Sequence, residues 1–124
     1  MIEHPEAPDP VSDLPYSNLV VAGDLVVVAS QVPFDETGHL VGSRFSDQAH
    51  QVFKNLDRVL GLAGCTRADL LRVNGFLARA ELFDEYNEIY REYFSPPYPA
   101  RTTVACTLLV PGMLVQVDAL ARKP

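Results

Sequence analysis

The chain has 124 residues, enough for one domain, and its 48% hydrophobic and 21% charged content excludes a disordered protein. Its net charge is -6, and its Lys and Arg residues are scattered except for the terminal Arg122-Lys123 pair. It therefore lacks the basic face that nucleic-acid binders set against phosphates, and no apolar run reaches membrane-spanning length.

Ile2-Glu3-His4-Pro5 opens an acidic, Pro-rich stretch through residue 14 that reads as an N-terminal arm. It does not read as a signal peptide, so a cytoplasmic location is expected. Segments 18–22 and 25–29 flank Gly23-Asp24, which predicts a two-residue hairpin. Gln31-Val32-Pro33 closes the second strand, and Asp35-Glu36-Thr37-Gly38 is a turn. Ser46 is the candidate N-cap of an amphipathic helix whose stripe runs through Ala49, Val52, Phe53, Leu56, Val59, Leu60 and Ala63. Gly64 ends that helix.

Residues 70–79 read as a strand with Leu71, Val73, Gly75 and Leu77 on one face and Arg72, Asn74 and Phe76 on the other. A second helix is predicted over 82–94. Its apolar stripe, including Phe83, Tyr86, Tyr90 and Phe94, reads as core. Its acidic face, Asp84, Glu85, Glu88 and Glu92, reads as solvated and not as a metal site, because no His accompanies it. Prolines between Ser95 and Pro99 then stiffen the approach to Arg101, at the head of a β-branched strand over 102–108. Pro111-Gly112 turns into a last strand over 114–121.

This order, β-β-α-β-α-β-β, predicts an α/β (α+β) domain: a single mixed sheet with two helices on one face. Val20-Val21 and Val26-Val27-Val28 are apolar on both faces of their strands, whereas two helices cover one face. The other face calls for a partner, most simply copies of the same chain.

An arginine held stiffly at a strand end can fork onto a carboxylate, so Arg101 is the first candidate for binding a small acid. In the last strand, alternation groups Leu114, Gln116, Asp118 and Leu120, and a buried Gln or Asp needs a partner, such as an Arg across an interface for Asp118. Ser30, Thr102 and Thr103 bring hydroxyls to strand ends, with no identifiable base beside them. His4, His39 and His50 are too dispersed for a triad or a metal set, and no phosphate loop is present. Cys65 and Cys106 fit neither a metal knuckle nor a redox pair and read as two buried structural thiols.

An ordered set of short matches then carries a resemblance. Pro15-Tyr16, Ser30-Gln31-Val32-Pro33, Thr37-Gly38, Asn55-Leu56, Val59-Leu60 and Ala63-Gly64 are followed by Phe83, Asn87, Tyr90 and Phe94 and by Pro99-Ala100-Arg101-Thr102. From about Pro15 to Ala121 the chain resembles the reactive intermediate deaminase (RidA-like) family, also called YjgF or L-PSP endoribonucleases. The resemblance implies a chorismate-mutase-like fold and a homotrimer with sites in the clefts between subunits. It implies cofactor-free hydrolysis of short-lived 2-imino and 2-enamino acids, such as 2-aminoacrylate, to 2-oxo acids and ammonia.

By position, Arg101 matches the family's carboxylate anchor and Tyr16 its cleft tyrosine. Phe83 is placed along the cleft, and the Thr102-Thr103 backbone borders it. The chain departs from the pattern where Gln116 replaces a Glu thought to orient water, where Thr103 replaces a frequent cysteine, and where Ser30 replaces a Gly. A Gln can hydrogen-bond water but cannot take its proton. Three further readings stand beside the deaminase: a family member with a divergent substrate, a trimeric module that binds small acids without turnover, and the older ribonuclease label, which the acidic balance opposes.

Overall fold

The computed structural model describes residues 1–5 and 14–124. The elements are β1 (Ile2–Glu3), β2 (Leu19–Ala22), β3 (Leu25–Gln31), α1 (Phe45–Leu62), β4 (Leu70–Leu77), α2 (Phe83–Tyr93), β5 (Ala100–Ala105) and β6 (Val115–Arg122). They form one six-stranded sheet in the order β1-β2-β3-β6-β4-β5. The β4–β5 pair is parallel and the other pairs are antiparallel, so the sheet is mixed, as expected.

Gly23 (φ 64°) lets the β2–β3 hairpin close in two residues. The expected N-terminal arm contributes an edge strand that sequence reading did not contain: Ile2 lies opposite Ala22 and Glu3 opposite Val21. The rest of that arm, 6–13, lies outside the described residues.

Both helices pack on one face of the sheet. Val26 and Val28 of β3, Val73 and Leu77 of β4, and Val115, Val117, Ala119 and Ala121 of β6 are buried there against α1 and α2. Phe53 of α1 is the hub of an aromatic cluster, with ring centroids 4.9 Å from Tyr93, 5.6 Å from Phe94, 5.9 Å from Tyr90 and 6.1 Å from Tyr86. The opposite face has no covering element among the described residues. Val27 (40%) and Val104 (42%) are exposed on it, as the count of covering elements anticipated.

Several expectations need correction. Ser46 is not the N-cap: the cap position is Arg44, two residues earlier, extended and with no side-chain cap. Burial of Phe45 draws the first turn inward, which outweighs the gain from a serine cap. Leu71 does not share a face with Val73, because a register shift between Leu70 and Arg72 turns it out to 48% exposure. Cys106 lies past the end of β5 and is exposed, whereas Cys65 is buried as expected. His50 of α1 does reach the acidic face of α2, with Nε2 3.5 Å from Glu92 Oε2. Even so, no group of three potential metal-ligating side chains forms among the described residues.

Gln48 is a buried residue that sequence reading passed over. Its amide donates to the carbonyls of Gly42 and Gly112, each at 2.9 Å, and its Oε1 accepts from Leu114 N–H at 2.7 Å. It thereby ties the turn before β6 to the base of α1, with its polar atoms satisfied.

Candidate functional site

The parallel β4–β5 pairing sets where Arg101 points. Arg101 lies opposite Val73 and Thr103 opposite Gly75, so both share the helix-covered face. Thr102 lies opposite Asn74 and Val104 opposite Phe76, on the open face.

Arg101 therefore reaches onto α2. Its Nη2 donates to Asn87 Oδ1. Its guanidinium carbon sits 4.8 Å from the Tyr90 ring centroid, 5.6 Å from Phe83 and 5.8 Å from Tyr86. Three ring faces and one amide thus fix the side chain. The Asn87 bond uses one of five N–H donors, which leaves the rest of the fork for a ligand's oxygens.

This cradle is closely built. A Cβ on Gly75 would stand 2.7 Å from Tyr86 Oη and 3.4 Å from Thr103 Cγ2, so only glycine lets the tyrosine lie down on β4. The hydroxyls of Tyr86, Tyr90 and Thr103 are buried with no hydrogen-bond partner among the described residues. Burial, reinforced by Tyr90 and opposed by Arg101, pushes the Tyr86 phenol far up. Burial also pushes Tyr90 up to about 12, with Arg101 opposing and Tyr98 adding to the rise. Both remain neutral at physiological pH and cannot act as bases there.

A second polar cluster lies on the open face. The register of β3 shifts between Val28 and Gln31, and this irregularity aims Ser30 at β6, where Gln116 Nε2 donates to Ser30 Oγ at 3.2 Å. Asp118 is not left waiting for an arginine within the chain: Asn74 Nδ2 donates to its Oδ1 at 2.8 Å. Ser30 also lines a cavity of about 520 Å³ with Tyr16, Asn18, Gln31 and Asn55. Asn55 holds that wall by donating to the carbonyls of Val32 and Phe34 at 2.9 and 3.0 Å.

The expected site residues thus divide into two groups. Arg101, Phe83 and Thr103 gather under α2, while Tyr16, Ser30 and Gln116 belong to the β3–β6 side, and Thr102 faces away from Arg101. Through Val73, Arg101 is in register with Ala119, three residues from Gln116 and on the other face. Two strand spacings across and three residues along separate the two Cα atoms by about 14 Å. One copy of the chain does not bring Arg101 to Gln116.

Asn87, a member of the matched motif, joins the expected residues beside Arg101. Its signal was spacing: one helical turn beyond Phe83, it shares the stripe that faces Arg101.

The fold and this arginine motif define a class that comparison makes specific. The family model described as Endoribonuclease L-PSP matches residues 6–123. A RutC family protein of Pyrococcus horikoshii is 36% identical over 118 residues, covering 94% of this chain and 92% of that protein. A protein of Dermatophagoides farinae named 2-iminobutanoate/2-iminopropanoate deaminase is 31% identical, covering 97% and 93% of the two chains. The crystal structure of a Yersinia pestis protein of the conserved Rid family superposes with a TM-score of 0.92 at 30% identity, covering 98% and 99%. The chain belongs to the L-PSP endoribonuclease family, which also holds the Rid and RutC proteins.

Proposed function

We propose that this protein hydrolyses small 2-imino acids, and the enamines in equilibrium with them, to 2-oxo acids and ammonia. The observation that carries this reading is the Arg101 cradle, a rigid fork beside a cavity of about 220 Å³. Family relatives named as deaminases support the same chemistry.

The reaction needs little from the protein. Arg101 holds the substrate carboxylate, which places the adjacent C=N carbon in a fixed position. Water adds to that carbon and the nitrogen takes a proton. The amino alcohol then collapses to the C=O bond as ammonia leaves. An enamine first takes a proton at its terminal carbon to become the imine. No cofactor enters this balance. Gln116 and Ser30 can orient water by hydrogen bonding but cannot accept its proton.

We further propose that three copies pack through the open sheet face, which carries Val27 and Val104. Such packing would bring the Gln116 side of one subunit toward the Arg101 side of the next. Light scattering then gives about three times the 13.7 kDa chain mass, and a Val27→Asp variant gives a smaller particle. A monomeric wild type removes this part of the proposal.

The decisive assay follows ammonia release from 2-imino acids freshly generated by an amino-acid oxidase. Wild type accelerates hydrolysis over buffer, and Arg101→Ala lowers kcat/KM by about 100-fold. No acceleration for any 2-imino acid rejects the reading. Gln116 motivates the second reading, a small-acid-binding module. Saturable 2-oxo acid binding without turnover, lost in Arg101→Ala, would establish that instead. RNA cleavage stays outside the proposal because the chain carries a net charge of -6 and no basic run.

A further inference from the structure

The hollow beside Arg101 contains a second arginine. Phe83, Asn87 and Arg91 recur at every fourth position of α2 and share one stripe. Arg101 stacks on the first at 5.6 Å and donates to the second. Arg91 is the next step, and it lines the same cavity of about 220 Å³ with Tyr90, Tyr98 and Pro99.

Among the described residues no Asp or Glu lines this hollow. Among the described residues Arg91 has no ion pair, and Glu88, one turn earlier on the same helix, does not form one with it. A cation in the last turn of α2 complements the helix dipole. That accounts for Arg91 alone, not for a second guanidinium brought into the same cavity from β5. Two like charges sharing a small space repel, and an anion with two separated acid groups relieves both at once.

We propose that Arg91 is a specificity determinant that selects 2-imino acids with a second, distal carboxylate, that is, imines of dicarboxylic amino acids. Arg101 takes the carboxylate beside the C=N bond and Arg91 takes the far one. The cavity lies below the usual range of about 300–1,000 Å³ for drug-sized ligands, which suits a short diacid. This inference rests on the imine-hydrolase reading for its chemistry, but its binding half can be tested without turnover.

Calorimetry with 2-oxoglutarate and 2-oxobutanoate compares a diacid and a monoacid product on the same protein. Wild type is expected to bind 2-oxoglutarate about tenfold more tightly, the scale of one charge-assisted contact at a partly exposed site. Arg91→Gln brings the ratio to about one, Arg91→Lys recovers part of it, and added salt shrinks it. The ratio of kcat/KM for oxidase-generated imines of glutamate and 2-aminobutanoate changes in parallel.

Diacid preference in binding that depends on Arg91, with no acceleration for these or any other 2-imino acid, sinks the hydrolase reading and leaves the binding half of this inference standing. Hydrolysis of both imines with no diacid preference, and a ratio that Arg91→Gln does not move, overturns the inference and leaves the hydrolase. Saturable binding of neither acid overturns it as well.

Discussion

The two polar regions of this domain are built on opposite principles. Arg101 is enclosed by its own chain, with Asn87 on one side, the rings of Phe83, Tyr86 and Tyr90 around it, and Gly75 making room beneath. Gln116 and Ser30 have each other across a 3.2 Å hydrogen bond, on a sheet face that nothing in the described chain covers. The first region is preorganised before any ligand arrives. The second becomes half of a site only in the proposed trimer, where a neighbour completes it. The difference separates two tasks that a hydrolase of activated imines can divide: holding an acid, which needs rigidity, and managing water, which needs a neighbour and a proton acceptor.

Gln116→Glu tests that division most sharply. The carboxylate can accept from Ser30 Oγ–H where the amide now donates, so the local geometry is preserved while a base is added. Turnover of a 2-imino acid is expected to rise by about 10²–10⁴-fold, with a new acid limb in the pH profile and little change in 2-oxo acid affinity. A rate that stays flat would mean that proton transfer at this position does not limit the reaction.

The cradle is probed next, by stability. Gly75→Ala forces a methyl group to 2.7 Å from Tyr86 Oη and 3.1 Å from its Cζ. The expected cost is about 1–3 kcal/mol in denaturant unfolding. Tyr86→Phe removes a buried hydroxyl that has no partner, so by itself it should shift stability by less than about 1 kcal/mol. In that background Gly75→Ala should cost less, because the nearest clash is gone. Equal costs in both backgrounds would show that the strain is taken up elsewhere.

Much of this was readable from the chain because the signals were local. Gly23-Asp24 between two valine-rich runs could hardly be anything but a hairpin, and the proline-stiffened approach singled out Arg101. The uncovered face also followed from arithmetic on elements, since two helices cannot cover both sides of a sheet.

The failures share a cause. Ser46 lost its cap role to the burial of Phe45, Leu71 left its face at a register shift, and Ile2–Glu3 became a strand because the edge of β2 was available. Each depends on contacts distant in sequence. The same holds for the site. Alternation along β6 put Gln116 on the open face, but the face of Arg101 depends on its parallel register with Val73, which no local pattern encodes.

A pH-dependent effect comes from the tyrosines behind Arg101. Tyr90 is held as the neutral phenol, its pKa raised from 10.0 to about 12 by burial, with Arg101 opposing and Tyr98 adding to the rise. Below about pH 10 the folded and unfolded chains both keep this proton, and the stabilisation from the buried phenol is fully present. Between about pH 10 and 12 the unfolded chain releases the proton first, so stability falls as pH rises and is lost through the folded-state pKa. Tyr86, shifted in the same direction, steepens the decline. Denaturant unfolding followed upward from about pH 8 should therefore show an alkaline loss that Tyr90→Phe flattens. Gln116→Glu, on the opposite face, should leave its slope alone. If Tyr90→Phe and the Tyr86→Phe/Tyr90→Phe double variant both kept the full slope, the alkaline sensitivity would belong to another region and not to the buried phenols behind Arg101.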